Sequence, residues 1–360
     1  MQVLLTIADT NKASKNFLEI CSLYPARLAS FSELGPQLPA NVLVVADFLG
    51  ATPEHFTVLK TLLAKATCEV IAVLDLKNRQ QIMQVRELGC HDLVDRAEPL
   101  GTLLLKIREK AADYSLPQID GKCSPKVGET VKSTCVALSA TSTAALTGAA
   151  LPLASLARTS VEISNTIESD GLGAWLTAVQ LHHSHTFCHT MMVTGHTMLF
   201  SKVLGLSAET QAMLGMGALV HDLGKIKIPL SILDKPGKLS DAERQLVNKH
   251  PAYSRLILKN CKDIPREAAE MAIWHHEFLD GTGYPDGLAA DQIPQLVRII
   301  TIVDIYSALT EKRAYKDSMS PRQAFATLAE MKGKLDTDLL RAFRDTILSI
   351  DLGELRRVAN

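Results

Sequence analysis

The chain has 360 residues, enough for two domains of ordinary size, and 47% of them are hydrophobic against 21% charged. That is a globular composition, and a net charge of −1 gives no electrostatic case for nucleic-acid or membrane-surface binding. Seven scattered cysteines without a Cys-x-x-Cys argue against a disulfide framework and for a reducing cytosol, and MQVLLTIADTNKASK has no basic stretch before its apolar run, so it does not read as a signal peptide.

Residues 1–113 alternate short apolar runs with helical stretches. Strands are expected at 2–8 (QVLLTIA), 41–47 (NVLVVAD) and 69–75 (EVIAVLD), with a weaker one at 91–95 (HDLVD). Val/Ile/Leu runs of this kind suit parallel strands buried on both faces. Helices are expected at 53–65, 78–88 and 100–113. The pattern is a doubly wound α/β unit, in which functional groups gather at the carboxyl ends of strands. Asp9 and Asp47 both end strands.

This unit resembles a response-regulator receiver domain in its strand spacing and in the Gly89-Cys90-His91-Asp92-Leu93 segment. The resemblance makes Asp47 the candidate phosphoacceptor. It also makes the departures visible. The acidic pair after the first strand is reduced to Asp9. Leu74 and Asp75 stand where a Ser or Thr is expected, and Arg96-Ala97 replaces Lys-Pro. A phosphoaspartyl site needs metal ligands and a cation on the phosphoryl oxygens, and Arg is not equivalent to Lys there. The expectation is a degenerate receiver that serves as a docking or dimerisation module for a signalling partner.

Residues 114–135 read as a linker, rich in Pro, Gly, Lys and Ser without periodicity. Residues 133–157 carry no charge and are long enough to span a bilayer. Their Ser, Thr and Ala content, Pro152 and lack of a Leu/Ile/Phe core instead suit a small-residue helix packed on another helix, with a homodimer as one setting for it. From 140 onward the pattern is helical, with segments at 186–204, 208–221, 240–260, 265–276, 290–311, 320–333 and 336–349. This part should be all-α. The expected layout is therefore 1–113 α/β, 114–175 linker and connecting helix, and 176–350 all-α.

Nine of the eleven histidines lie between 182 and 276. His221-Asp222-Leu223-Gly224-Lys225 closes an apolar helix, and neighbouring His and Asp can serve two metals at once because a carboxylate can bridge. A His-Asp pair alone reads equally well as a satisfied core histidine. Here His189 and His250 accompany it, and so does His275-His276-Glu277, followed by Asp280, Gly281, Gly283, Tyr284 and Pro285. Asp304 is one acid on an otherwise apolar helix, and a buried carboxylate needs a partner. Imidazole and carboxylate together suit Fe, Mn, Zn or Ni. There are too many candidates for one tetrahedral ion with an open position. The count points to two or more metals and to hydrolase chemistry.

HDxGK, HHExxDGxGYP and the Asp-bearing IVDIYSALT helix resemble the HD-GYP subfamily of the HD phosphohydrolase superfamily, over about residues 180–348. The resemblance implies hydrolysis of cyclic di-GMP to pGpG, with slower conversion to GMP, in cytoplasmic bacterial signalling. It implies a site of two or three divalent metals, Fe or Mn. The implied ligands are His189, His221, Asp222, His250, His275, His276 and Asp304, with Asp222 as the bridge and Lys225 beside the nucleophile. His185 stands where three-metal members carry a Glu, so it is a candidate third-ion ligand. Gly283, Tyr284, Arg313 and Lys316 are the implied substrate contacts, with a turn-capping role as the alternative for Tyr284. His182 and His183 read as packing groups and His196 as a core residue. Phe278, Lys227, Leu230, Ser307 and Ala314 depart from the family pattern. Two rival readings share these residues. One is a hydrolase of another cyclic dinucleotide. The other is a catalytically silent module that binds metal or nucleotide and recruits partners.

Overall fold

The computed structural model describes residues 2–7, 26–34, 38, 42–65, 68–115, 121–181, 185–233, 235, 237–312 and 318–351. The chain divides into two compact units, Met1–Leu116 with Pro229–Asp234, and Pro117–Ile228 with Lys235–Asn360.

The first unit holds β1 (Gln2–Ile7), β2 (Ala26–Ser30), β3 (Val42–Asp47), α1 (Pro53–Leu63), β4 (Glu69–Leu74), α2 (Arg79–Glu87), β5 (Asp92–Asp95) and α3 (Leu100–Ser115). All neighbouring strands are parallel, in the order β2-β1-β3-β4-β5. This is a doubly wound order. β3 is buried along its whole length and β4 along all but its first residue, as continuous apolar runs require. β2 was not expected. ARLAS has no Val/Ile run, and as an edge strand it does not need one. Asp47 ends β3 fully buried. Its Oδ1 accepts from Arg96 Nη2 at 2.5 Å and from the Leu49 amide at 3.0 Å. Asp9 lies outside the described residues.

The second unit is helical, with one isolated β-bridge, Asp280 to Ala289, among its described residues. It contains α4 (Pro125–Thr147), α5 (Leu153–Asp170), α6 (Leu172–Val179), α7 (His185–Val203), α8 (Ala208–Val220), a 3-10 turn (Leu223–Lys227), α9 (Asp241–Val247), α10 (His250–Leu258), α11 (Arg266–Trp274), α12 (Gln295–Thr310), α13 (Pro321–Glu330) and α14 (Thr337–Asp351). Three expectations need correction. Residues 125–135 are helical rather than linker. Ser124 caps α4 by accepting from the Val127 amide, and Pro125 sits at the first turn, where its missing N–H costs nothing. The expected helix over 240–260 is two helices, which separate at Asn248 and Lys249. The helix expected from 290 starts only at Gln295, after Pro294.

The uncharged stretch 133–157 is not one helix. α4 ends at Gly148 in the left-handed region (φ 72°), a usual helix stop. Its threonines return their hydroxyls to carbonyls one turn back, as Thr134 does to Thr130 and Thr141 to Ala137. Thr130 also meets Thr166 of α5 at 2.8 Å, so α4 packs within its own chain. No helix among the described residues is long and apolar enough to cross a membrane.

The core that sets the site is aromatic. Tyr306 of α12 packs on Phe325 and Phe343, and Phe343 packs on Phe200 of α7. Burying side chains of this size contributes roughly 1.5–3 kcal/mol each. Trp175 is fully buried and donates to the Met191 carbonyl. His196 lies in the same core, with Nδ1 3.0 Å from Ser307 Oγ and its ring edge-on to Tyr306 and Phe343. α7, α8, α11 and α12 pack against one another and bring their polar residues to one place.

Candidate metal centre

Six short pieces of chain converge there. His189 lies one turn into α7. His221 closes α8, and Asp222 opens the 3-10 turn. His250 is the first residue of α10, His275 and His276 follow α11, and Asp304 lies midway along α12. His276 is half-buried; the other six are buried.

Glycine makes the closest approach possible. A Cβ on Gly224 would overlap the His250 carbonyl oxygen and stand 2.6 Å from the Ser254 amide. With no side chain there, the Gly224 amide donates to Ser254 Oγ at 2.9 Å, and the turn lies flat on the start of α10. That contact puts Asp222 Oδ1 3.2 Å from His250 Nε2. On the other side, Thr301 of α12 donates its hydroxyl to the His275 carbonyl and ties α12 to the end of α11.

The ligand atoms fall into two groups. Those of His250, His275 and His276 lie within 4.8 Å of one another, and so do those of His189, His221 and Asp304. Asp222 stands between the groups with one oxygen toward each. Oδ1 is 3.2 Å from His250 Nε2 and 3.9 Å from His275 Nε2, whereas Oδ2 is 3.3 Å from His221 Nε2 and 3.8 Å from His189 Nε2. Lys225 Nζ closes the open edge, 2.5 Å from Oδ2.

Hydrogen bonds fix the tautomers. His221 Nδ1 donates to the Ala218 carbonyl, His250 Nδ1 to Val247 and His275 Nδ1 to Met271. A carbonyl only accepts, so each Nδ1 keeps its proton and the lone pair of the neutral tautomer lies on Nε2. Metal-ligating histidines are held in this way. The His221 Nε2 is buried with no hydrogen-bond partner. The Nε2 atoms of His250 and His275 are 3.1 Å apart, so two lone pairs face each other and call for a cation between them. The residues therefore fit divalent metal ions on their own geometry.

Charge follows the same division. Burial pushes His250 down to about 3 and His276 down to about 4, and it holds His275 well below the usual histidine range. All three are neutral at pH 7, as ligands must be. His189 goes the other way, to about 9. Burial opposes its charge, but the hydrogen bond to Asp304 (2.8 Å) and the neighbouring Glu311 outweigh burial. Burial would raise the Asp222 and Asp304 carboxyls. Lys225 and the histidines around Asp222, and His189 beside Asp304, hold both below the usual carboxylate range.

The other candidate residues lie at different distances from this centre. Tyr284 stacks on His276 with ring centroids 4.8 Å apart, and its hydroxyl is 3.5 Å from Asn248 Oδ1. Gly283 allows the loop to close, since a Cβ there would come within 2.5 Å of Glu277 Cα and the Phe278 amide. His185 is half-buried on α7 and belongs to neither ligand group. Asp47 lies in the other unit. His182, His183, Arg313 and Lys316 lie outside the described residues.

Two residues gained roles that the sequence reading had not given them. Glu277 is buried and accepts the amides of Asp286, Gly287 and Leu288 at 2.6, 3.1 and 3.0 Å, so it anchors the loop that carries Tyr284. Glu311 is fully buried just past α12, with Oε2 3.5 Å from His189 Nδ1. It stands seven residues, or two helical turns, after Asp304. That spacing was the available signal.

Residues 176–339 match the family model of the HD domain. This segment is an HD domain. The HD-bearing chain is 35% identical over 187 residues to a Pseudomonas aeruginosa protein named cyclic di-GMP phosphodiesterase, covering 51% of this chain and 45% of that one. It is 41% identical over 146 residues to the Vibrio cholerae 3'3'-cGAMP-specific phosphodiesterase 3, covering 41% of this chain and 32% of that one. It is 39% identical over 138 residues to a Xanthomonas campestris cyclic di-GMP phosphodiesterase response regulator, covering 38% and 36%. The chain spans less than half the length of each of these relatives. Among solved structures, an HDG"Y"P protein from Bdellovibrio bacteriovorus aligns over 75% of this chain and 81% of its own, at 16% identity and a TM-score of 0.49.

Proposed function

We propose that this HD-domain protein is a metal-dependent phosphodiesterase that opens cyclic di-GMP to pGpG, with slower conversion to GMP. One observation carries the reading: Asp222 turns one carboxylate oxygen to each of two histidine-rich groups, the arrangement that shares a carboxylate between two ions. In this reading His189, His221 and Asp304 hold one ion, His250, His275 and His276 hold the second, and Asp222 serves both. His185 is the candidate ligand for a third. Two bound divalent ions, Fe or Mn, would bring a water close to neutral pKa and polarise the phosphodiester oxygens.

The remaining work falls to the chain. The Nδ1 bonds of His221, His250 and His275 to backbone carbonyls leave their Nε2 lone pairs aimed inward, so little reorganisation is needed at the moment of reaction. Lys225, partly exposed at the edge of Asp222, supplies positive charge where a phosphate arrives. Tyr284, held against His276 by the loop that Glu277 anchors, offers a flat face to a base, with Gly283 beside it. Arg313 and Lys316 take the second phosphate. The P–O3′ bond breaks as a water oxygen joins phosphorus, and the 3′-oxygen leaves with a proton.

A second reading keeps the site and changes the base. The 41% identity to a 3'3'-cGAMP-specific relative supports 3'3'-cGAMP as the substrate. In the first unit, the β2-β1-β3-β4-β5 order supports a receiver-like domain, and the Arg96 ion pair on Asp47 supports a degenerate one that docks a signalling partner or a second copy of the chain. The test is competitive turnover: protein loaded with Mn²⁺ or Fe²⁺ is given equal cyclic di-GMP and 3'3'-cGAMP, and linear products are followed by chromatography. Appearance of pGpG first supports the main reading, and faster loss of 3'3'-cGAMP supports the second. Bound metal with no linear product overturns both.

A further inference from the structure

The two ligand groups differ in how their histidines are backed. His221, His250 and His275 each give Nδ1 to a backbone carbonyl of the preceding helical turn. His189 is backed by a side-chain carboxylate instead. Its Nδ1 faces the fully buried Glu311 carboxylate at 3.5 Å, while its Nε2 meets Asp304 at 2.8 Å. Glu311 is held in place by the chain itself, for its amide donates to the Ser307 carbonyl at 2.8 Å at the end of α12. Glu311, His189 and Asp304 thus lie in a row that reaches the edge of the candidate centre, with His189 hydrogen-bonded to Asp304 and at ion-pair distance from Glu311.

We infer that Glu311 is a positioning residue that orients His189 and makes the His189/His221/Asp304 group the tighter of the two metal sites. This rests on the proposed metal centre. The charges support the order. The His189 group has Asp304 as a ligand and Glu311 behind it, whereas the His250/His275/His276 group has three neutral rings. Lys225 lies on the His189 side, against Asp222 Oδ2. In a low-dielectric interior, a negative charge one imidazole away from a cation still acts strongly on it. A carboxylate behind a ligating histidine also raises the basicity of the ring, and removing such a partner typically weakens metal binding about 10- to 100-fold.

The test is a titration of metal-free protein with Mn²⁺, with free ion read by electron paramagnetic resonance. Wild type, Glu311→Ala, Glu311→Gln and Asp304→Asn are compared, and helical content is checked by circular dichroism. Wild type is expected to show a tight and a weak class. Asp304→Asn identifies the tight class by losing it. Glu311→Ala should weaken that same class about 10- to 100-fold and leave the other unchanged, and Glu311→Gln, which keeps an acceptor for His189, should fall between it and wild type. If Glu311→Ala does not fold, Glu311→Gln alone still carries the comparison. Unchanged isotherms in both Glu311 variants overturn the inference, as does weakening of the class that survives in Asp304→Asn. No Mn²⁺ binding by wild type overturns the metal centre itself, which is a different and recognisable failure.

Discussion

Replacing Asp222 with Asn keeps the side chain's shape and removes the shared charge. Its oxygens stand 3.2 Å from His250 Nε2 and 3.3 Å from His221 Nε2, so an ion in either group lies within roughly 4 Å of the carboxylate. At an effective dielectric near 20, one unit charge at that distance is worth about 4 kcal/mol to a cation, or about a thousandfold in affinity. The bound charges and Lys225 screen part of this, so the expected loss is about 100- to 1000-fold at one site at least. Hydrolysis should fall with it to below about 1% of wild type. The assay is metal content by mass spectrometry after gel filtration, with product formation on the same sample and a melting curve to show that the variant folds. A folded Asp222→Asn protein that keeps two metals at wild-type affinity would refute the shared-carboxylate argument.

Gly224→Ala should cost about 1–3 kcal/mol, because a Cβ there meets the His250 carbonyl and the Ser254 amide and one backbone has to move; a lower melting temperature with weaker metal binding is the expected pair of results. Arg96→Ala leaves the buried Asp47 carboxylate without its guanidinium and should destabilise the first unit by about 3 kcal/mol, with part of that recovered in the Arg96→Ala/Asp47→Asn double variant. His196 is buried and neutral, and burial pushes it down to about 4. The unfolded chain therefore takes up the proton first, and stability held above about pH 6.5 is lost as pH falls toward 4, by about 3 kcal/mol. In metal-free protein the stability advantage of wild type over His196→Gln should shrink by that amount across the window, read from denaturant midpoints at each pH.

The candidate site was legible because its residues break the local pattern. A His-Asp pair at the end of an apolar helix, two adjacent histidines and one acid inside IVDIYSALT are all polar groups where packing alone would place apolar ones, and these are the residues that the fold gathers. Glu311 was less visible. It follows the end of α12, where an acid is unremarkable, and only its two-turn spacing from Asp304 marks it. Glu277 stood inside a recognised motif, but its partners are three backbone amides that no side-chain pattern reveals. In the fold, strands buried on both faces announced themselves as apolar runs. β2, an edge strand of sequence ARLAS, did not. The start of α4 reads as a linker because Ser and Pro each suit a break in the chain, whereas Ser124 as a cap with Pro125 in the first turn begins a helix.

Metal stoichiometry of the anaerobically purified, metal-loaded protein is the most direct test of the account. Two ions per chain, with one lost in Asp304→Asn and the other in His276→Ala, is the predicted result. A single ion per chain that survives both substitutions would contradict it.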